Sequence, residues 1–501
     1  MQRALVDLAS IGSVALLLCS TAAAFESGST GADGDFSPSV STEVVLPSSG
    51  ILNYRSVNVP SGVTVTFKRN TTNTPVVILV QNDATIAGTI ALDGSGSTAT
   101  GRAGDGNLLD DGQPGLGGPG GFDGGYGGQP GRGRVGGNGL GPGGGGGGRL
   151  GAYGFGSVEQ YPAPSCGGGA GFAQNGGAGP GANRASQAAP GGSAYGSDSL
   201  IPLAGGSGGG GGASGARFRG SGGGGGGGAM LLAATGAVNL SGLISARGGG
   251  SGAADHLDGD VAAGGAGSGG AIRIVATRVL GNGQVNVQGT IGGRANYLGT
   301  PWGSDGCSGG AGSAGRVRIE AETTSFQGST PDVTASIGTP GPVFLTSAPS
   351  LRFISVAGLP VPTNPTGVDD VTIPAGMPDE VPVVVATSNI PVGTIIKVRM
   401  VPRAGAVVDL DSPPTIGATD NASTSVNVSL PAGRATLQAS VSYMVVASIG
   451  DGLARFAEGE RVEKITLSSA LGGANQATLH TVSGREFPIE PALLALAALP
   501  H

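Results

Sequence analysis

The chain has 501 residues, of which 104 are glycine, while charged residues make up 12% and aromatic residues 4%. This composition differs from that of ordinary globular domains, and the length is sufficient for two or three domains. The formal net charge of −7 argues against nucleic acid as a partner. Arginines that lie among glycines are therefore expected to be solvated, and these are Arg132, Arg134, Arg217 and Arg219.

The first 24 residues have the pattern of a secretory signal peptide. Arg3 precedes an apolar run around Leu16, and three alanines at 22–24 supply the small residues of a cleavage site. We expect export to the cell surface or the extracellular space, with a mature chain that starts near Phe25. The other apolar runs are shorter than the roughly 18 residues of a membrane span, so no transmembrane segment is expected in the mature chain.

Strand patterns begin after an N-terminal segment, 25–44. Between residues 45 and 94, apolar and polar residues alternate in short runs, which are separated by turn residues such as Pro60-Ser61-Gly62. Alternation with a period of two places the apolar residues of each run on one face of a strand. We therefore expect several short strands in this part of the chain.

A two-part strand pattern recurs further along the chain. Its first part contains Met230 and returns around Ile272, 42 residues later, and around Val317, 45 residues after that. A near-constant interval indicates units that bury their apolar faces by stacking on one another. Because these units contain no amphipathic helical stretch, we expect an all-β fold in which residues 45–340 form a parallel β-helix or β-solenoid.

The second part of the pattern has apolar residues at alternate positions, then a glycine, then an isoleucine. It occupies Val238 to Ile244, and matching runs occupy 84–90 and 285–291. A glycine inside a strand marks a bend or the close approach of another backbone. The alignment places Ile244 and Ile291 at the same buried position of consecutive units.

The opening strands also carry a family resemblance. The run from Val57 to Phe67, followed by 76–80 and by Ile86-Ala-Gly-Thr-Ile90, resembles the first rungs of secreted bacterial parallel β-helix proteins. With the glycine-rich remainder, residues 45–321 are similar to exported proteins of the PGRS type, named for polymorphic glycine-rich sequences. The resemblance implies export, a parallel β-helix and a surface or extracellular setting, and it implies no activity.

An insertion at 101–228 interrupts the strand patterns with glycine runs at 143–148, 208–212 and 222–228. Glycine loses the most backbone entropy on folding, so we expect a flexible loop. Shortening 222–228 by a few residues should then cost little stability. The alternative is that the glycine runs pack side by side as polyproline II-like helices, although the sequence lacks a strict three-residue period.

Cys166 and Cys307 begin two nearly identical hexapeptides, Cys-Gly-Gly-Gly-Ala-Gly and Cys-Ser-Gly-Gly-Ala-Gly. If both occupy the same position in neighbouring coils, they lie about 4.8 Å apart. That separation is within the reach of a disulfide, which an exported protein can retain. The alternatives are two free thiols or a bond to another chain.

Catalytic and metal-binding patterns are weak. Ser207 and Ser308 fit the nucleophile-elbow pattern without the preceding strand and following helix that it requires. Two acidic runs could act as acid and base on a glycosidic bond or supply oxygens to Ca²⁺, but neither has the spacing of a known calcium loop. We expect exposed loop carboxylates and no cofactor, with Asp105, Asn107, Asp110, Asp258 and Asp260 as the calcium candidates.

The composition changes after Ala321, where glycine becomes rarer and threonine, proline and valine more frequent. Several prolines predict a stiff connector at 341–375. Beyond it, 376–501 contains short alternating runs separated by turns such as Pro391-Val-Gly393. This pattern predicts an immunoglobulin-like β-sandwich without a disulfide.

The lack of a recognisable catalytic set predicts a non-enzymatic structural or adhesive protein, with surface polysaccharide or other copies of itself as partners. One alternative is a polysaccharide-active β-helix enzyme, which would need carboxylates on one face. Another is a glycan- or ice-binding module, which would need a flat row of threonines or aromatic residues. The candidates for stacking on sugar are Tyr126, Tyr153, Phe155, Tyr161 and Trp302.

Overall fold

The computed structural model describes most of the chain between residues 25 and 494. The positions outside the description within that range are 48, 72, 99–111, 131–134, 151–163, 182–186, 215–218, 256–261, 297–306, 344–347, 363–369, 375, 404–405, 430–432, 446, 458, 472–474, 490 and 492. The described part is nearly all β, and its helical elements are Ala447–Leu453 (α1) and a 3₁₀ turn at Ala454–Phe456.

The first sixteen strands pair in parallel. They are Asp35–Phe36 (β1), Thr42–Val45 (β2), Ile51–Tyr54 (β3), Ser56–Val59 (β4), Thr64–Lys68 (β5), Val76–Val80 (β6), Ala84–Ile86 (β7), Thr89–Ala91 (β8), Ala229–Leu240 (β9), Leu243–Ser245 (β10), Ala254–Asp255 (β11), Ala271–Gly281 (β12), Gln284–Asn286 (β13), Ala295–Asn296 (β14), Arg316–Phe326 (β15) and Ser336–Gly338 (β16).

These strands form two main sheets and a small pair. The first sheet has the order β1-β4-β7-β9-β12-β15-β16, and β3 joins it through β6, which pairs with β9. The second sheet has the order β13-β10-β8-β5-β2, and β11 pairs with β14. The chain alternates between the two main sheets, because β9 is followed by β10 and β12 by β13. One apolar core contains buried residues of both sheets.

The register confirms the first part of the repeat. Met230 of β9 pairs with Ile272 of β12, which pairs in turn with Val317 of β15. All three side chains are buried in the same core. The alternating apolar positions therefore stack at the predicted intervals, because each unit completes its apolar surface against the next.

The second part of the repeat is confirmed for one copy and wrong for the other. Ile90 pairs with Ile244, as the match between 84–90 and 238–244 predicts. Ile244, however, pairs with Val285 on its other side, and Ile291 is 78% exposed. The equivalent run is 279–285, in which Gly281 adopts a φ of 112° at the position of Leu240. Because glycine occupies a position that is apolar in the other copies, the sequence pattern does not reveal this copy.

The last eleven strands pair in antiparallel fashion. They are Ser350–Val356 (β17), Leu359–Pro360 (β18), Glu380–Ser388 (β19), Ile396–Pro402 (β20), Val408–Asp411 (β21), Ile416–Ala418 (β22), Asn421–Ser429 (β23), Ala435–Met444 (β24), Val462–Ala470 (β25), Gln476–Thr481 (β26) and Glu486–Ile489 (β27). One sheet has the order β18-β17-β19-β23-β22, and the other has the order β21-β20-β24-β25-β26-β27.

The antiparallel strands begin earlier than the sequence pattern indicates. β17 and β18 lie inside the range 341–375 that predicts a connector, and β17 pairs with β19. That range is therefore not a connector throughout, since its apolar residues complete a sheet. Leu351 and Phe353 of β17 belong to an apolar cluster formed mainly by the antiparallel strands, which Ala229 and Ala271 also join.

Candidate functional site: the glycine-rich array

Glycine-rich segments extend from the parallel strands and pack against one another. We call the set the glycine-rich array. Its described segments are 92–98, 112–118, 121–128, 135–141, 143–149, 165–171, 174–181, 187–194, 205–213, 220–228, 246–252, 262–270, 287–293 and 307–315. Three of them lead directly into β9, β12 and β15, so the array is continuous with the stacked strands.

Backbone hydrogen bonds join neighbouring segments at every third residue. Phe122 N donates to Gly206 O at 3.0 Å, Gly125 N to Gly209 O at 2.8 Å, and Gly128 N to Gly212 O at 2.9 Å. A period of three is that of the polyproline II helix, which has no internal hydrogen bonds. The alternative of side-by-side packing therefore describes these segments, and the expectation of a flexible loop is wrong for them.

The segment 205–213 lies at the centre of the array and has six hydrogen-bonded neighbours. Its N–H groups donate to backbone carbonyls of three of them, 135–141, 165–171 and 220–228. Its carbonyl groups accept from three others, 121–128, 143–149 and 262–270. Its backbone groups are thus paired although the segment belongs to no helix or sheet, and pairing of buried backbone is what folding requires.

Two further segments are surrounded in the same way. The neighbours of 220–228 are 92–98, 112–118, 121–128, 205–213, 246–252 and 262–270. The neighbours of 262–270 are 165–171, 205–213, 220–228, 246–252, 287–293 and 307–315. The array is therefore a three-dimensional lattice of extended chains with an interior of its own.

Close approach of the segments explains why the interior is glycine. A Cβ atom on Gly223 would lie 2.0 Å from Gly209 O, and one on Gly210 would lie 2.1 Å from Gly146 O. Both distances are far inside van der Waals contact with backbone atoms that cannot move aside. Gly250, in an outer segment, has no atom within 4 Å of its Cβ position. The glycine positions of the interior therefore exclude side chains, and the other buried residues of these segments are small, such as alanine and serine.

Buried serine hydroxyls complete the hydrogen bonds where the array is not glycine. Ser207 Oγ accepts from Gly143 N at 3.0 Å and donates to Tyr195 Oη at 3.1 Å, while Ser268 Oγ accepts from Ser207 N at 2.9 Å. Burial raises the pKa of Tyr195 far above its ordinary value, and the opposing effects of Ser207 and Arg316 are smaller. Ser207 is fully buried, and its hydroxyl is hydrogen-bonded to Gly143 N and Tyr195 Oη. This environment does not fit the role of a nucleophile.

The outer surface of the array exposes large apolar side chains on three adjacent segments. Leu116 is 58% exposed, Tyr126 61%, Val135 52% and Leu140 36%. Backbone hydrogen bonds join 112–118 to 121–128, and 121–128 to 135–141. We call these four side chains the apolar outer face. Polar residues Gln113, Asn138 and Gln129 accompany them on the same segments or next to them.

A disulfide joins two segments of the array that are distant in sequence. The Cys166 and Cys307 Sγ atoms lie 2.03 Å apart, and the Cα atoms 5.9 Å. Both residues are buried against Ala213, Ala262 and Ala263. The bond links 165–171 of the insertion to 307–315, which leads into β15.

A buried ion cluster lies on the first sheet. Arg273 and Glu320 are each 2% exposed, and Arg273 Nη2 lies 2.9 Å from Glu320 Oε2. Gly341 N also donates to Glu320 Oε2, at 2.8 Å, and Arg273 Nη2 donates to Pro342 O, at 2.9 Å. Burial raises the pKa of Glu320, but the hydrogen bonds from Arg273, Gly341 and Arg318 outweigh it and hold the pKa below its ordinary value.

The calcium candidates Asp105, Asn107, Asp110, Asp258 and Asp260 lie outside the described residues, as do Tyr153, Phe155, Tyr161 and Trp302. In the part of the chain that the structure describes, no three His, Cys, Asp or Glu side chains form a group that could hold a metal ion. Within the same residues, no helix has both the length and the apolar character needed to cross a membrane.

The sequence indicated the cysteine pair but not the apolar outer face or the six-neighbour packing. The signal for that packing is spread over segments more than 100 residues apart, so no local pattern reports it. Comparison of the chain with protein-family models, with curated proteins and with solved structures gives no match.

Proposed function

We propose that the chain is an exported, non-enzymatic structural or adhesive protein of the cell surface or extracellular matrix. The observation that carries the proposal is the interior of the glycine-rich array, where three segments have six neighbours each and the glycine positions have no space for a side chain. Such an interior provides rigidity, and its buried serine hydroxyls are bonded within the array. Its use is to hold an outer surface in a fixed shape.

The proposal includes a finer description of the fold. The parallel strands are the two strand-bearing sides of a β-solenoid, and the array continues its coils as a third side. Alternation of the chain between the two sheets and the intervals of 42 and 45 residues support this description. The antiparallel part is an immunoglobulin-like sandwich, supported by two sheets with a shared apolar core.

The apolar outer face is the proposed adhesive surface. Its four exposed apolar side chains lie on hydrogen-bonded neighbouring segments, and apolar side chains that gather on a surface mark interaction sites. Tyr126 adds an aromatic ring with a polar hydroxyl, which suits contact with sugar rings or with another protein surface. The partner is surface polysaccharide or a second copy of the chain.

The binding test uses the mature protein with immobilised cellulose, chitin and dextran, and with immobilised copies of itself. A double variant, Leu116→Ser with Tyr126→Ser, should bind the preferred surface at least tenfold more weakly. Ile416→Ser is the matched control, because Ile416 is 74% exposed on an antiparallel strand. Equal binding by both variants would overturn the adhesive proposal. Release of new sugar reducing ends by the protein would favour the enzyme alternative.

A further inference from the structure

The segment 25–31, which we call the N-terminal belt, runs across the strands of the first sheet. Ser27 is 1% exposed, and its hydroxyl donates to Val80 O of β6 at 2.7 Å. Further along, the Ser29 hydroxyl donates to Tyr54 O of β3 at 2.8 Å. The belt is therefore bonded to successive strands rather than to one neighbour.

The first residue of the belt reaches β15 at the opposite side of the sheet. Phe25 N donates to Glu322 Oε1 at 2.8 Å. The Phe25 side chain packs against an apolar cluster that contains Leu231 of β9 and Val275 of β12. The contacts of Phe25, Ser27 and Ser29 thus extend from β15 to β3. When Phe25 is held in this position, the belt links β15, which is late in the chain, to the early strands β6 and β3.

The peptide bond before Phe25 is the one that the small-residue pattern marks for cleavage. We propose that Phe25 is the N-terminal residue of the mature protein and that the Glu322 carboxylate is the binding site for its ammonium group. The inference rests on the export included in the proposed function. Removal of the leader then has a structural consequence, because the new ammonium group holds the belt against Glu322.

The chemistry of the step is a peptide hydrolysis. One water molecule is consumed, the carboxylate remains on Ala24, and the amine of Phe25 takes up a proton. The nitrogen that faces Glu322 then changes from a neutral amide donor to a cation. A charge-assisted hydrogen bond to a carboxylate is stronger than one from a neutral donor. The contact is exposed, so salt screens it and its effect on global stability is small.

The test therefore measures the reactivity of the Phe25 amine itself rather than global stability. The mature chain is treated with a trace of acetic anhydride at pH 7 and low salt, and acetylation of the Phe25 amine is followed by peptide mass spectrometry. Only the deprotonated amine reacts, and α-amines titrate close to this pH. Glu322→Gln should raise the acetylation rate about threefold, because the amine loses the carboxylate that favours its protonated form. Glu43→Gln, on a strand of the second sheet, is the control and should not change the rate.

A second version of the protein keeps Ala23 and Ala24 before Phe25. Its terminal ammonium group is therefore two residues away from the nitrogen that bonds to Glu322. Its terminal amine should acetylate at the same rate with Glu or Gln at position 322. Two results would overturn the inference: a native exported protein whose first residue is not Phe25, or equal acetylation of the mature chain with Glu and Gln at 322. Both are independent of surface binding, so failure of this inference is distinguishable from failure of the adhesive proposal.

Discussion

Ile90 and Ile244 are parallel partners in β8 and β10, and their side chains are 1% and 0% exposed. The two residues lie 154 positions apart, with the whole glycine-rich insertion, 101–228, between them. Their pairing shows that the insertion leaves the stacking of the strands uninterrupted. The core on either side of it is one core.

Ile244→Ala should destabilise the protein by about 2 to 5 kcal/mol, because a fully buried side chain is removed and a cavity remains. Ile291→Ala is the matched control. Since Ile291 is 78% exposed, its truncation should change stability by less than about 0.5 kcal/mol. Urea unfolding midpoints of the two variants check this. Similar midpoints would show that the register at Ile244 is incorrect.

Gly223→Ala should destabilise the glycine-rich array by about 1 to 3 kcal/mol or more, because the new Cβ would lie 2.0 Å from Gly209 O. Gly250→Ala is the control, since its Cβ position is open and its φ is not positive. It should be neutral or stabilise by about 0.4 to 1 kcal/mol. Thermal unfolding measures both variants. If Gly223→Ala is as stable as Gly250→Ala, the interior of the array is not close-packed.

Amide hydrogen exchange tests the same packing without substitution. The amides of 220–228 should exchange slowly, because eight of the nine bond to a neighbouring segment and the segment is buried. Removal of one residue from 222–228 should accelerate exchange in the adjacent segments, since it displaces every later donor by one position of a three-residue period. A flexible loop would instead exchange rapidly in both proteins.

The bond between Cys166 and Cys307 stays a prediction for the purified protein. Peptide mapping without reductant should recover one intramolecular cross-linked peptide pair. A loop of 141 residues predicts a stabilisation of roughly 4 to 5 kcal/mol in the chain-entropy model. Reductant should therefore lower the unfolding midpoint of the native chain and leave a double Cys→Ala variant unchanged. Free thiols on both cysteines would contradict the pairing.

The Glu320 cluster should make stability depend on acidic pH. Because the folded state holds the pKa of Glu320 below its ordinary value of 4.5, its contribution is present above that value. It is lost as the pH falls through the lower folded pKa. Glu320→Gln should cost about 3 to 5 kcal/mol at pH 7, since it leaves Arg273 buried without its partner.

The same substitution should flatten the dependence of the unfolding midpoint on pH as the pH falls below 4.5. Asp409→Asn is the control, because Asp409 pairs with Arg399 at the exposed surface and such pairs contribute little. A Glu320→Gln protein with native stability at pH 7 would contradict the role of the cluster.

The sequence alone determined the parallel strands around Met230, Ile272 and Val317, because alternation and interval are local properties that stacking preserves. It also indicated the cysteine pair through matching hexapeptides. It misplaced the copy at Val285, since Gly281 occupies an apolar position there and interrupts the alternation.

Only the tertiary structure decided whether the glycine runs are ordered or disordered. Glycine has no side chain whose pattern could indicate a partner, and its large backbone entropy favours disorder when a segment is considered by itself. Order arises when neighbouring segments satisfy the backbone of one another, as six neighbours do around 205–213. Those neighbours come from several parts of the chain, so the same glycines that predict a loop locally form a close-packed interior when the segments are brought together.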